Sequence, residues 1–337
     1  MSHGRNQADS MGGEGHPRPP PTAASEALTL RMMTYNVRYF GHATRGLAST
    51  GAAFHRIARS IAAMDPLPDL VCLQEVETRS LRATSMNRPR HPEETQLDRV
   101  MNELEAALVR ENKPDRYTAY YFPAHTYRLT ARTNIYTTGL AVIARDTFTI
   151  GHHNAREPHD ITHRARVKDL KQTRICAHVS FRHATGVSFD VFNTHLSLPN
   201  VFSKEFWTSE ARMGFAPNQL AEARALADFV EREKRSDNYV VVGDFNALPG
   251  SPVHRYLRDD RGLVDAFSQV LCLDEAASRS FPTAGFLNLR MHLDHVYSST
   301  PLEWLDFSGT QRFGERGAFA GLSDHVPLIA RCRVPSR

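Results

Sequence analysis

Polar residues suited to metal binding and proton transfer stand at the ends of apolar runs along this chain. The segments are MTYNVR at 33–38, LQEVE at 73–77, FNTHL at 192–196, VVGDFN at 241–246, HLDHV at 292–296 and SDHVP at 323–327. An apolar run closed by Asn, Glu, His or Asp reads as a buried strand that delivers a polar head to one edge of a sheet. One such strand end is ordinary. Together they supply Asn36, Glu75, His195, Asp244, Asn246, Asp294, Asp324 and His325, and that inventory predicts a single site. Its hard oxygen donors and imidazoles suit a divalent cation and hydrolysis of a phosphate ester.

Each residue also has an ordinary reading. A carboxylate that ends a buried run, such as Glu75, must be paired, protonated or metal-bound to be tolerated. Asn36 ends the preceding strand of the same unit, which predicts that the two lie side by side. In VVGDFN, Gly243 allows close backbone approach, and the two-residue spacing of Asp244 and Asn246 points both side chains one way if strand geometry continues. The alternative there is an Asx-type turn. A buried His beside carboxylates is held in one tautomer and kept basic, which suits His325 next to Asp324 for proton transfer near neutral pH. His292 and His295 flank Asp294 and are expected on the opposite face of their strand. His195, after Thr194, is a weak signal by itself.

The elements that must position these residues follow from periodicity. A strand over 28–37, a helix over 52–64, a break at 65–68 (DPLP) and a buried strand over 69–76 make a strand–helix–strand unit. Leu97, Val100, Met101, Leu104 and Leu108 mark an amphipathic helix over 94–110. Strands are expected at 116–122, 138–145, 173–181, 187–196, 239–244, 292–298 and 326–333, and a second helix at 218–234. The polar segments 78–95 and 151–170 read as loops, the latter over the site. Residues 1–27 are too polar to build a core and read as a disordered tail, leaving 28–335 as one domain.

Composition sets bounds on function. With 337 residues and 41% hydrophobic content there is material for a large core, and the net charge of +4 is compatible with a phosphate-bearing partner without requiring one. Cys72, Cys176, Cys272 and Cys332 form no CxxC pair, so a zinc site is not expected and free thiols are. No apolar run reaches the roughly 18 residues of a membrane-spanning helix. With no export signal visible, the expectation is a cytoplasmic monomer.

The order of these blocks resembles the endonuclease/exonuclease/phosphatase superfamily of metal-dependent phosphoesterases, over residues 30–333. The resemblance implies an α/β (α+β) fold, a four-layer α/β/β/α sandwich of two packed mixed β-sheets of the DNase I-like type. It implies Mg²⁺ as cofactor, with Mn²⁺ as a substitute, held by Glu75 with Asn36 beside it and Asp324 as a further carboxylate. Asp244 and Asn246 would orient or deprotonate the attacking water and hold the phosphate. His325, oriented by Asp294, would contact the phosphate or act as base, and His195 would stabilise or protonate the leaving oxygen.

The branch of the superfamily is less sharply marked. Abasic-site endonucleases usually carry Tyr-x-Pro-Asn where this chain reads FNTHLSLPN, and Trp-Arg where it reads LNLRMHLD. Pancreatic-type DNases have a Glu supporting the matched histidine, where this chain has Thr138 and Gly139. The THL block is more like the sphingomyelinase, deadenylase and inositol-phosphatase branches. The substrate is therefore expected to be a nucleic acid, or a lipid or inositol phosphate. A catalytically silent binding protein of the same fold is the alternative of another class. Two further segments are candidates for substrate contact: the aromatic stretch 200–219, with Phe202, Phe206, Trp207, Met213 and Phe215, and the basic stretch His163, Arg164, Arg166, Lys168, Lys171 and Arg174.

Overall fold

The computed structural model describes residues 27–38, 51–76, 95–130, 133–163, 173–199, 213–286 and 288–336. Strand β1 (Leu28–Asn36), helix α1 (Gly51–Ala62) and strand β2 (Leu70–Val76) come first, then helix α2 (Gln96–Arg110) and the hairpin of β3 (Tyr117–Thr130) and β4 (Thr133–Arg145). Strands β5 (Phe148–His153), β6 (His159–Asp160), β7 (Ile175–His183) and β8 (Ser188–His195) lead to helix α3 (Pro217–Glu233) and β9 (Tyr239–Asp244). A short helix α4 (Pro252–Arg255) runs into a π-helical turn, Tyr256–Asp260. After it come β10 (Val264–Asp265), α5 (Ala266–Leu271), α6 (Glu275–Arg279), β11 (Ala284–Phe286) and β12 (Leu289–Met291). The last strands are β13 (Asp294–Ser298), β14 (Glu303–Asp306) and β15 (Leu328–Val334).

Two mixed sheets result. The first is six-stranded, in the order β14-β15-β1-β2-β4-β3, and the second is seven-stranded, β10-β13-β9-β8-β7-β5 with β6 on β7. Each contains one parallel pair joined by a helical crossover: β1 and β2 across α1, and β8 and β9 across α3. Strands in these pairs are covered on both faces, so they read as continuous apolar runs. Alternate residues separate cleanly. Leu30, Met32, Val240 and Val242 fill the core between the sheets, Met33 and Tyr35 face α1 and α2, and Tyr239 and Val241 face α3. Each fully buried aliphatic side chain of this kind contributes roughly 1.5–3 kcal/mol. The layers are therefore helix, sheet, sheet, helix, as the resemblance implies.

The sheets are also joined by a polar clasp. Gln74 donates from Nε2 to Asn193 Oδ1 across the interface at 2.8 Å, and Asn193 Nδ2 donates to the carbonyls of Leu73 and Ala141 at 3.0 and 3.1 Å. Both are fully buried, where an unmade hydrogen bond costs about 1–3 kcal/mol. The Gln of LQE and the Asn of FNTHL thus fix one sheet against the other.

Two expectations need correction. The strand expected at 116–122 continues to Thr130, because its hairpin with β4 keeps pairing. Part of the loop expected over 151–170 is strand: β5 and β6 pair antiparallel with β7 at the sheet edge, where polar side chains leave no apolar periodicity to read. Residues 164–172, like the expected loop at 78–94 and the tail at 1–26, lie outside the described residues. The four cysteines are free, with Cys272 exposed and the others buried. No helix among the described residues is long and apolar enough to cross a membrane.

Candidate active site

The parallel pairs end at the same rim of the two sheets. Asn36 closes β1 and His195 and Asp244 close β8 and β9 in direct register. Ligand crevices of open α/β sheets form at such carboxyl ends. Asp294 opens β13 directly opposite Asp244, and His325 joins by an isolated bridge to Ala284.

Glu75 reaches the rim through a bulge. The β2–β4 register shifts between Gln74 and Val76, and Glu75 takes a positive φ of 56°. Leu73 and Val76 both pack on the helical face, so Glu75 is the extra residue, turned out of the alternation toward the site. Asn36 Nδ2 donates to Glu75 Oε1 at 3.1 Å and to Asp244 Oδ2 at 3.0 Å. Its Oδ1 accepts from Arg38 N at 3.0 Å.

Asp244 and Asn246 do not share a face by strand geometry, because the strand stops at Asp244. Asn246 N donates to Asp244 Oδ1 at 2.9 Å and Asn246 has φ 47°, so an Asx turn folds the second residue back beside the first. The amide of Asn246 then faces His195 Nε2 at 3.3 Å and donates to Leu196 O at 2.9 Å. Gly243 has φ +141°, and a Cβ there would come within 2.0 Å of the Thr194 carbonyl oxygen, so only glycine brings β9 this close to β8.

His325 Nδ1 lies 2.8 Å from Asp294 Oδ2, which leaves Nε2 facing Asp244 Oδ2 at 3.6 Å. The same Asp294 oxygen accepts from Thr283 Oγ1 at 2.6 Å, and Thr283 Oγ1 accepts from the backbone of Leu293 and Asp294. His195 Nε2 stands 3.4 Å from Asp244 Oδ2 and 4.0 Å from Glu75 Oε1. Asp324 pairs with Arg38 at 2.8 Å and is the more exposed of these carboxylates. Ser323 Oγ donates to Asn36 O at 2.7 Å, tying the SDH segment to the end of β1.

The electrostatics follow from this packing. Burial opposes charge on His325, but Asp294 and Asp244 outweigh it and hold the imidazole well above its ordinary value. Burial, then Arg174 and His325, push His195 well below. The site thus holds one cationic and one neutral imidazole side by side. Burial raises Asp244 to about 7, with Asp294 adding to the rise and His325 opposing it. Glu75 is raised by burial and by Asp324. Asp294 Oδ1 is buried without a hydrogen-bond partner among the described residues. Crowded, underneutralised carboxylates with oxygen donors fit a hard divalent cation. Asp244, Asp294 and His325 have donor atoms within 4.8 Å of one another.

Several contributors carry no motif. Arg174, at the end of the basic stretch, is only 8% exposed. It lines a small open recess beside His195, together with Thr138, Gly139 and Leu140. The rest of that stretch, apart from exposed His163 and half-buried Thr173, lies outside the described residues. Gln219 and Glu222 sit on the buried face of α3. Gln219 Nε2 donates to the carbonyls of Ser197 and Asn246, and Glu222 accepts from Ser197 N and Oγ. They hold the loops that follow His195 and Asp244. Their one signal in sequence is a polar residue inside an apolar helical stripe; Thr283 has none. Of the aromatic stretch, Met213 is buried in a small cluster with Leu248 and Leu293 and Phe215 is exposed, while 200–212 lie outside the described residues.

A family model described as "Endonuclease/Exonuclease/phosphatase family" matches residues 33–325, from the start of MTYNVR to His325. The chain belongs to the endonuclease/exonuclease/phosphatase family. As a member it is a hydrolase of phosphate esters. Solved structures share the fold. A family protein from Leptotrichia buccalis C-1013-b superposes with a TM-score of 0.60 at 16% identity, over 90% of this chain and 99% of that one. The human Nocturnin catalytic domain with bound sulfate gives 0.57 at 19% identity, over 91% and 96%. ANGEL2, a 2',3'-cyclic phosphatase, in complex with adenosine-2',3'-vanadate, gives 0.59 at 16% identity, over 93% and 98%. No curated protein matches the chain by sequence.

Proposed function

We propose that this family member is a Mg²⁺-dependent phosphodiesterase that acts on nucleotide-containing phosphoesters by in-line attack of water. The observation that carries this reading is the meeting of Asn36, Glu75, His195, Asp244, Asn246, Asp294 and His325 at one rim, each within hydrogen-bonding or ion-pairing reach of another. Glu75 and Asn36, with Asp324 nearby, would hold the cation. When bound, Mg²⁺ neutralises charge on the phosphoryl and leaving oxygens.

The protein's own groups do the rest. Asp244 takes the proton of the attacking water, and Asn246 fixes that water and the phosphate through its amide. His325 is kept cationic by Asp294 and binds a phosphoryl oxygen through Nε2–H. His195, uncharged and oriented by Asn246, lies toward the leaving group, and the nearby guanidinium of Arg174 adds positive potential. Positioned proton transfer of this kind contributes typically 10²–10⁴-fold, and fixed geometry adds to it. The nucleotide preference is supported by the vanadate adduct of adenosine in ANGEL2.

The test is hydrolysis of single-stranded DNA, duplex DNA, RNA, sphingomyelin, an inositol polyphosphate and bis-p-nitrophenyl phosphate, with Mg²⁺ and with EDTA. Metal-dependent cleavage of a nucleic acid, lost in Asp244→Ala, is expected. Cleavage confined to sphingomyelin or the inositol polyphosphate would overturn the substrate class. Full activity in Asp244→Ala would overturn the site.

A further inference from the structure

Behind the strand that carries Asp294 lies a second group of side chains that the proposed chemistry leaves unused. His254 on α4, Asp265 capping α5 and His295 on β13 each bring one donor atom, and these atoms lie within 4.8 Å of one another. They are 1%, 5% and 0% exposed. His295 turns to the face of β13 opposite Asp294, where it stacks on Tyr297.

The hydrogen bonds around these rings define where their lone pairs are. His295 Nε2 lies 2.7 Å from the Ala247 carbonyl oxygen. A carbonyl only accepts, so Nε2 carries the hydrogen and Nδ1 keeps a lone pair. That Nδ1 is buried with no hydrogen-bond partner among the described residues. His254 offers a different atom: its Nε2 faces Asp265 Oδ2 at 2.9 Å, so this nitrogen and this carboxylate oxygen are the pair that a cation would bridge in place of a proton. Asp265 is oriented in turn by Ser268, through Oγ at 2.8 Å and N at 3.3 Å. An imidazole whose N–H is fixed by a carbonyl or carboxylate, with its other nitrogen free, is the usual state of a metal-bound histidine.

We propose that His254, Asp265 and His295 form a second metal site, structural in role, for a transition cation of the Zn²⁺ class. Two imidazoles and a carboxylate select Zn²⁺ over Mg²⁺, which prefers oxygen and retained water. With its Nε2–H held by the Ala247 carbonyl, the His295 ring presents Nδ1 as the atom that binds metal. The position gives the cation a purpose. His295 follows Asp294, and the carbonyl that His295 holds belongs to Ala247, directly after Asn246. A cation here braces, from behind, the strand and the loop that form the rim.

The test uses the full chain carrying Glu75→Gln, Asp324→Asn and His325→Ala, which removes the rim's proposed metal-binding carboxylates and its imidazole donor while the second group stays intact. The protein is stripped with chelator, checked for native circular dichroism, and titrated with Zn²⁺ or Co²⁺. One tightly held equivalent is expected, with visible Co²⁺ absorption and X-ray absorption showing two imidazoles on Zn²⁺. Adding His254→Gln or Asp265→Asn removes a direct ligand and should weaken it by more than about 100-fold, the upper end for losing only a supporting outer group. A folded protein with the intact group that takes up neither metal overturns the proposal. So does unchanged affinity in a folded His254→Gln protein.

Discussion

Asn36 donates to carboxylates of both sheets, to Glu75 on β2 at 3.1 Å and to Asp244 on β9 at 3.0 Å. One neutral amide thereby sets the spacing between the proposed metal-binding carboxylate and the proposed base. Replacing it should damage function more than folding. Asn36→Ala is expected to lower kcat by about 10²-fold, the equivalent of one charge-assisted hydrogen bond at the upper end of its 1.5–3 kcal/mol range. Steady-state kinetics at saturating Mg²⁺ checks this, and a change confined to KM would argue against the bridging role.

Thr283 is the support for Asp294. Its hydroxyl donates to Asp294 Oδ2 while accepting two backbone N–H groups. Thr283→Val leaves those donors and the carboxylate short of a partner and should destabilise the protein by about 1–3 kcal/mol. Thr283→Ser should restore most of it. Urea denaturation of both variants reads the difference, and equal loss in both would assign the effect to packing of the methyl group.

Gly243 tests the close approach of β8 and β9. Ala at this position meets the Thr194 carbonyl and a φ of +141° together. An ordinary Gly→Ala replacement inside a strand gains about 0.5–1 kcal/mol, whereas Gly243→Ala should cost on the order of 2–3 kcal/mol. A variant as stable as the parent would show that the strands can separate without penalty.

The paired imidazoles make a prediction about pH. The folded value of His325 is raised above its ordinary 6.5, so its interaction with Asp294 stabilises fully below about pH 6.5 and is lost as pH rises through the higher folded value. The stability advantage of wild type over His325→Gln should therefore narrow on raising the pH above 6.5. His195 moves the opposite way. Nitrogen-15 NMR of the metal-free protein at pH 7 should show His325 as imidazolium and His195 as neutral. Two neutral rings would contradict the electrostatic reading.

Much of this was legible along the chain because strands buried on both faces write themselves as apolar runs, and the polar residue ending each run is conspicuous against it. Asn36, Glu75, His195, Asp244 and Asp294 are visible for that reason, and the helices α1, α2 and α3 by their periodicity. What the chain alone does not encode locally is how ends of different strands meet. The bulge that turns Glu75 outward depends on its pairing with β4, and the Asx turn at Asn246 replaces the strand geometry that its spacing suggested. Thr283, Gln219 and Glu222 act through partners 11 to 27 residues away in sequence. Arg174 reaches the site only because β7 lies beside β8. Sequence determined which residue types are available and which elements carry them, since burial and periodicity are local properties. Tertiary structure decided which of them share a charge field and a hydrogen bond, since those depend on distances that only the packing of the two sheets fixes.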